Sequence, residues 1–173
     1  ALLPDGRAGV AYPAVTPADW SSPAGLHVFG LRENAEARSN LALVNLSSTE
    51  DVGLRVTLTS GEMGDRSSMV LPETVVLKPL QWTQLGAVLG RAGYANGWVR
   101  VDRVSGGGPY YAYGVFNDHG TNDGSFIDPV PVAAGESSRM VPVVLELGIY
   151  SSELILTNPT EGRLDYTLAY VES

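Results

Sequence analysis

Apolar and polar positions alternate along the chain in a pattern that occurs twice. Ser39-Asn40-Leu41-Ala42-Leu43-Val44-Asn45-Leu46-Ser47, followed by Leu54-Arg55-Val56-Thr57-Leu58, returns as Ser152-Glu153-Leu154-Ile155-Leu156-Thr157-Asn158-Pro159-Thr160 and then Leu164-Asp165-Tyr166-Thr167-Leu168. Each copy reads as an apolar strand, an Asn-initiated turn and a second strand with alternating faces, and so predicts a β-hairpin unit present in duplicate. Further strands are predicted at His27-Val28-Phe29 and at Thr74-Val75-Val76-Leu77, the latter closed by Pro79. Asn96-Gly97 reads as a tight turn before Trp98-Val99-Arg100-Val101-Asp102, in which Val99 and Val101 share one face and the charged side chains the other. Gly106-Gly107-Gly108-Pro109 then leads into Tyr110-Tyr111-Ala112-Tyr113-Gly114-Val115-Phe116, and the two strands are expected to pair as a hairpin.

One helix is expected, over residues 81–91, where Trp82, Leu85 and Val88 or Leu89 recur at helical spacing and Gly93 stands at the position of a C-terminal cap. Residues 1–25, punctuated by Pro4, Pro13, Pro17 and Pro23, form an extended arm or edge strand. Residues 32–38 and 117–128 read as polar loops, and residues 133–138 as a linker. Met140 to Leu147 is a strand that corresponds to His27-Val28-Phe29. The chain therefore divides into the arm 1–25, a β-sandwich unit at 26–132 and a partial second β unit at 133–173. That partial unit, about 40 residues long, has too little apolar area to be stable alone. It is covered by the first unit, or by a strand from another copy, or the chain belongs to a longer tandem array.

Composition narrows the class. Of 173 residues, 44% are hydrophobic and 17% charged, with 20 Gly and 11 Pro, which favours many short strands joined by tight turns. A net charge of -8, from 19 acids against 11 Lys and Arg, repels phosphate backbones and argues against nucleic acid as a partner. No apolar run approaches the roughly 18 to 20 residues that span a bilayer as a helix. The absence of Cys excludes thiol catalysis and thiolate metal sites but fits any compartment. The start on Ala1 rather than Met fits a mature exported protein.

The run Gly30-Leu31-Arg32-Glu33-Asn34, Arg38 to Asn45, together with Tyr111-Ala112-Tyr113-Gly114-Val115-Phe116-Asn117-Asp118 and Thr121-Asn122-Asp123-Gly124-Ser125, resembles a repeated β-sandwich module of large secreted or surface bacterial proteins, found beside immunoglobulin-like repeats or after a protease domain. The resemblance covers residues 25–173 and implies location and architecture. It assigns no ligand residue.

Functional side chains concentrate in residues 117–128. Asp118, Asn122, Asp123 and Asp128 are the candidate oxygen ligands for Ca²⁺, although Gly120 falls where the D-x-[DN]-x-[DN]-G loop needs a ligand, and Asn and Asp are also ordinary turn residues. A serine, a histidine and an aspartate can be picked from the same loop, but there is no G-x-S-x-G and no H-E-x-x-H. Glu33, Glu36, Glu50 and Asp51 lie in polar loops, as solvated acids do. Trp20, Trp98 and Tyr110 are the candidate ligand-binding residues of an aromatic platform for polysaccharide. Against this, Tyr111 and Tyr113 share one face of their strand and Tyr110 and Ala112 the other, so one set belongs to a core. Asn45-Leu46-Ser47 satisfies the N-glycosylation pattern but sits where a turn Asn is needed.

These observations lead to an all-β, immunoglobulin-like β-sandwich with one short helix, one full and one partial repeat. The expected function is non-catalytic: a secreted or cell-surface structural or adhesive module that joins protein partners, its own copies or neighbouring domains, by strand addition. A carbohydrate-binding module is the alternative, and a hydrolase a weaker one. No cofactor is expected apart from the Ca²⁺ candidate.

Overall fold

Alternation at a period of two separates core from surface over residues 54–60, whereas residues 39–43 are buried on both faces. In β1 (Leu26–Arg32), β2 (Ala37–Asn45) and β3 (Val52–Ser60), Leu26, Val28, Leu41, Leu43, Leu54, Val56 and Leu58 are fully buried. The computed structural model describes residues 10–20, 24–120, 123–132, 146–147 and 150–169. It divides into a unit of residues 1–136 and a unit of residues 137–173.

Two antiparallel sheets build the first unit as a β-sandwich. The short strands β4 (Ser68–Val70) and β5 (Val75–Leu77) both pair with β3; β6 (Trp82–Leu85) pairs with β2. Completing the unit are β7 (Asn96–Ser105), β8 (Tyr110–Asp118), β9 (Gly124–Ile127) and β10 (Val130–Pro131). One sheet runs β10-β1-β7-β3-β4, with β5 also on β3, and the other runs β6-β2-β8-β9.

Three sequence expectations fail here, each for a tertiary reason. The repeated pair is not a hairpin: β2 and β3 lie in different sheets, β2 between β6 and β8 and β3 beside β7, so the Asn turn is an arch from one sheet to the other. The strands β7 and β8 do not pair with each other either. The turn at 106–109 is a second crossover, stacked on the first, with the Leu46 N–H donating to the Pro109 carbonyl at 3.0 Å. Gly106, at φ +77°, passes so close to the Asp51 carbonyl that a Cβ would collide with it. Residues 82–85 of the expected helix are strand β6, because the open edge of β2 offers a ladder over Leu41↔Leu85 to Val44↔Trp82. Only Leu89–Ala92 is helical, as one turn of 3-10 helix, and Gly93 does cap it at φ +71°.

Smaller differences follow the same logic. Asn96-Gly97 opens β7 rather than turning before it, and the polar stretch 117–128 contains β9, paired with β8 from Asn117↔Gly124 to Gly114↔Ile127. In residues 10–20, which end in a turn at 17–20, Tyr12 packs edge-on against Tyr113 and Phe126, and Trp20 against Tyr111 at 4.7 Å between ring centroids.

The second unit contains β11 (Glu146–Leu147) paired with β12 (Tyr150–Ser151); the rest of the strand expected from Met140 lies outside the described residues. Residues 152–169 carry no strand and bend at 160–162, and among the described residues no backbone hydrogen bond joins the two arms.

Candidate functional site

The stretches around Asn45 and Asn158 share one local device. In the first unit the Asn45 Oδ1 accepts from the Ser47 N–H at 2.9 Å, while Nδ2 donates to the Glu50 carbonyl at 2.7 Å and to the carbonyls of Leu77 and Lys78 at 3.1 and 3.0 Å. In the second unit the Asn158 Oδ1 accepts from the Thr160 N–H at 2.9 Å, and Nδ2 donates to the Gly162 carbonyl at 2.6 Å. An Asn side chain that closes a turn on its own backbone replaces hydrogen bonds a strand would make, and so ends the strand. Asn45 is fully buried by these bonds, which accounts for the glycosylation pattern as a turn.

Burial separates the copies. Leu41, Leu43, Leu54, Val56 and Leu58 have no exposed surface, whereas their counterparts Leu154, Leu156, Leu164, Tyr166 and Leu168 are 45 to 66% exposed, and Ile155 between them is 47% exposed. These six side chains are one contiguous stretch of apolar arms around a single turn. One contact between the arms runs from the Tyr166 hydroxyl to the Thr157 carbonyl, at 3.1 Å. Exposed apolar residues thus gather on this short segment, at positions where the sequence is apolar.

The residues proposed for calcium do not converge. Asp118 and Asp123 flank the β8–β9 turn, where the Asp118 N–H donates to the Asp123 carbonyl at 3.0 Å and the Asp123 Oδ1 accepts from Gly124 N–H at 3.0 Å. Asp128 lies past the far end of β9, beyond the pair Gly114↔Ile127, about 13 Å along the ladder at the usual rise per residue. There it accepts a hydrogen bond from the Tyr111 hydroxyl; burial first, and then this carboxylate, push the Tyr111 pKa up to about 12. Asn122 lies outside the described residues. Among the described residues no group of three or more His, Asp or Glu is placed to hold a metal ion.

The three aromatic candidates occupy different layers. Tyr110 is fully buried in the core, its hydroxyl donating to the Val101 carbonyl at 2.9 Å across the two sheets, and burial raises its pKa to about 12. Trp20 lies on Tyr111, at the outer face of the β6-β2-β8-β9 sheet. Trp98 lies on the outer face of the other sheet, its ring 5.0 Å from His27 and 5.7 Å from Phe29. A sandwich about 10 Å thick separates the two tryptophans, so they do not share a platform.

Beside Trp98 the sequence reading passed over a charged row. Arg100 Nε donates to both Asp102 oxygens at 2.9 and 3.1 Å, and Arg55 Nη2 stands 3.7 Å from Asp102 Oδ2. His27, in the same row and buried, has its pKa lowered to about 4 by desolvation first and by Arg100 second, against the opposing pull of Asp102. It is neutral near pH 7 and packs between the rings of Phe29 and Trp98. Glu33 and Glu36 lie at the β1–β2 end, while Glu50 and Asp51 lie at the arch, where Asp51 meets Lys78 Nζ at 2.6 Å. The length of β2 separates the two sets of acids.

No family model, curated protein or solved structure matches the chain.

Proposed function

We propose that this chain is a non-catalytic structural or adhesive module of a secreted or cell-surface assembly, of the immunoglobulin-like, repeated kind, which joins other protein by receiving strands on its second unit. One observation carries this reading: the second copy of the arch keeps its Asn-closed turn while its six apolar side chains stand about half exposed. An apolar strand whose backbone enters no sheet is a template for further pairing, and extended segments added to such edges gain main-chain hydrogen bonds as well as side-chain burial. The first unit shows the finished form of the same motif, closed between two sheets.

Sedimentation or light scattering across a wide concentration range tests this, alone and with candidate surface proteins. Association that disappears when Leu154 and Leu168 are both replaced by Ser is the expected result. A chain that stays monomeric and captures nothing through residues 152–169 removes the reading.

A further inference from the structure

Three aromatic side chains stand in a row on the outer face of the β6-β2-β8-β9 sheet. Tyr111 and Tyr113 alternate outward along β8, and Phe126 joins them from β9, where it pairs with Val115. The ring centroids step 5.7 Å from Tyr111 to Tyr113 and 5.2 Å from Tyr113 to Phe126. Residues 10–20 lie across this row. Trp20 meets Tyr111, Tyr12 meets both Tyr113 and Phe126 at 5.5 and 5.6 Å, and Val10 occupies the space over Gly124, where a Cβ would collide with it.

Side chains alone hold the segment there. Its hydrogen bonds close within it: the Trp20 N–H donates to the Pro17 carbonyl at 3.3 Å, the Asp19 N–H to the Thr16 carbonyl at 3.2 Å and the Thr16 hydroxyl to the Asp19 carboxylate at 2.7 Å. Among the described residues no hydrogen bond runs from it to a strand. Pro13 and Pro17 have no N–H with which to join a ladder. Lifting the segment therefore breaks no backbone pairing of the sheet, and the turn that presents Trp20 travels with it. Tyr12, in place, is still half exposed. A seat that holds a segment by ring contacts and a glycine slot accepts the identical segment of another copy equally well, which is the condition for exchange between protomers.

We propose that residues 10–20 are an exchangeable strap, and that two copies of this chain join when each lays its strap on the other's Tyr111-Tyr113-Phe126 row. The fit of Val10 to Gly124, of Tyr12 to Tyr113 and Phe126, and of Trp20 to Tyr111 fixes the occupant as this sequence. Within one copy the strap competes at an effective concentration of about millimolar, so exchange appears where copies are crowded together or the resident strap is loosened. The surface belongs to the first unit and is independent of the strand-receiving role proposed for residues 152–169.

Two complementary variants test it, both carrying Leu154→Ser and Leu168→Ser so that the second unit takes no part. One loses the anchors of its strap, Tyr12→Ser with Trp20→Ser; the other loses its seat, Tyr113→Ser with Phe126→Ser. Each alone should sediment as a monomer, and their equimolar mixture should give a heterodimer. A labelled peptide of residues 10–20 should bind the strap variant about tenfold or more tighter than it binds the chain with its strap intact, because the resident segment no longer competes. The same peptide with Tyr12→Ser and Trp20→Ser should not bind. Tyr12 and Trp20 lie outside every strand, so the peptide measurement decides the matter even where the seat variant fails to fold. Two folded variants whose mixture stays monomeric, a strap variant that does not bind the peptide, or equal binding to the intact chain overturns the proposal.

Discussion

The arch at Asn45 and the arch at Asn158 share a turn and differ in everything around it. Both close through an Asn that accepts from the N–H two residues on and donates to a carbonyl further along. The arms of the first are fully buried and those of the second about half exposed. The bond from the Asn to the N–H two residues on is local, whereas Asn45 alone also reaches the distant Leu77 and Lys78 carbonyls. Burial is not local. The first arch owes it to the packing of two sheets on each other, each arm held in its sheet by a strand distant in the chain, β7 for β3 and β8 for β2.

Several substitutions sharpen or break this contrast. The largest effect is expected in the leucine pair. Leu43→Ala should destabilise the first unit by about 3 kcal/mol, through lost burial and a cavity. Leu156→Ala, at the matching position, should cost less than about 0.5 kcal/mol; denaturant titration with Trp fluorescence reads the first and exchange on residues 152–169 the second. Comparable losses at both sites would mean that the second arch is covered in solution.

Acid should act on one unit alone. His27 has a folded-state pKa near 4 against an ordinary 6.5, so between these values the unfolded chain binds the extra proton and the folded one does not. The stability of the first unit is then complete above about pH 6.5 and falls as pH drops toward 4, by on the order of 3 kcal/mol. Both histidines of the chain, His27 and His119, lie in the first unit. His27→Phe should flatten the melting temperature across this window, and exchange at residues 152–169 should be insensitive to it.

Next in size is the turn itself. Asn45→Ala strips three buried or half-buried carbonyls of a donor and should cost about 2 kcal/mol, while Asn158→Ala, at an exposed turn, should cost under about 1 kcal/mol. Smallest is the crossover glycine. Gly106→Ala forces a left-handed backbone and a collision with Asp51, a loss of about 1 to 2 kcal/mol, whereas Gly162→Ala meets open space and should be nearly silent. Thermal denaturation separates both pairs; a silent Gly106→Ala would contradict the stacked-crossover geometry.

Much of the first unit was legible. The face of Val99 and Val101, the strands around Phe29, Leu43, Val56 and Leu77, and the capping Gly93 follow from alternation and turn chemistry that need only neighbouring residues. The division of the tyrosines was half legible: alternation sets Tyr110 apart from Tyr111, but only the second sheet shows Tyr110 to be the core one. Residues 82–85 were misread because three apolar positions at helical spacing also fit a strand and a turn, and the free edge of β2 decided between them. The candidate metal ligands shared one stretch of sequence, yet β9 runs between Asp123 and Asp128 and carries them apart. Adjacency in a polar stretch does not imply convergence once part of it becomes a strand.

Sequence alone determined the all-β character, the duplicated turn and which side of each strand is apolar, because these depend on the period of the chain and on hydrogen bonds spanning a few residues. Only the tertiary structure decided that the pair β2 and β3 is an arch between sheets instead of a hairpin. The hydrogen-bonding groups of a strand accept any suitable edge, near or far, and the core rewarded the far one. The same competition left the second arch with its apolar arms in water.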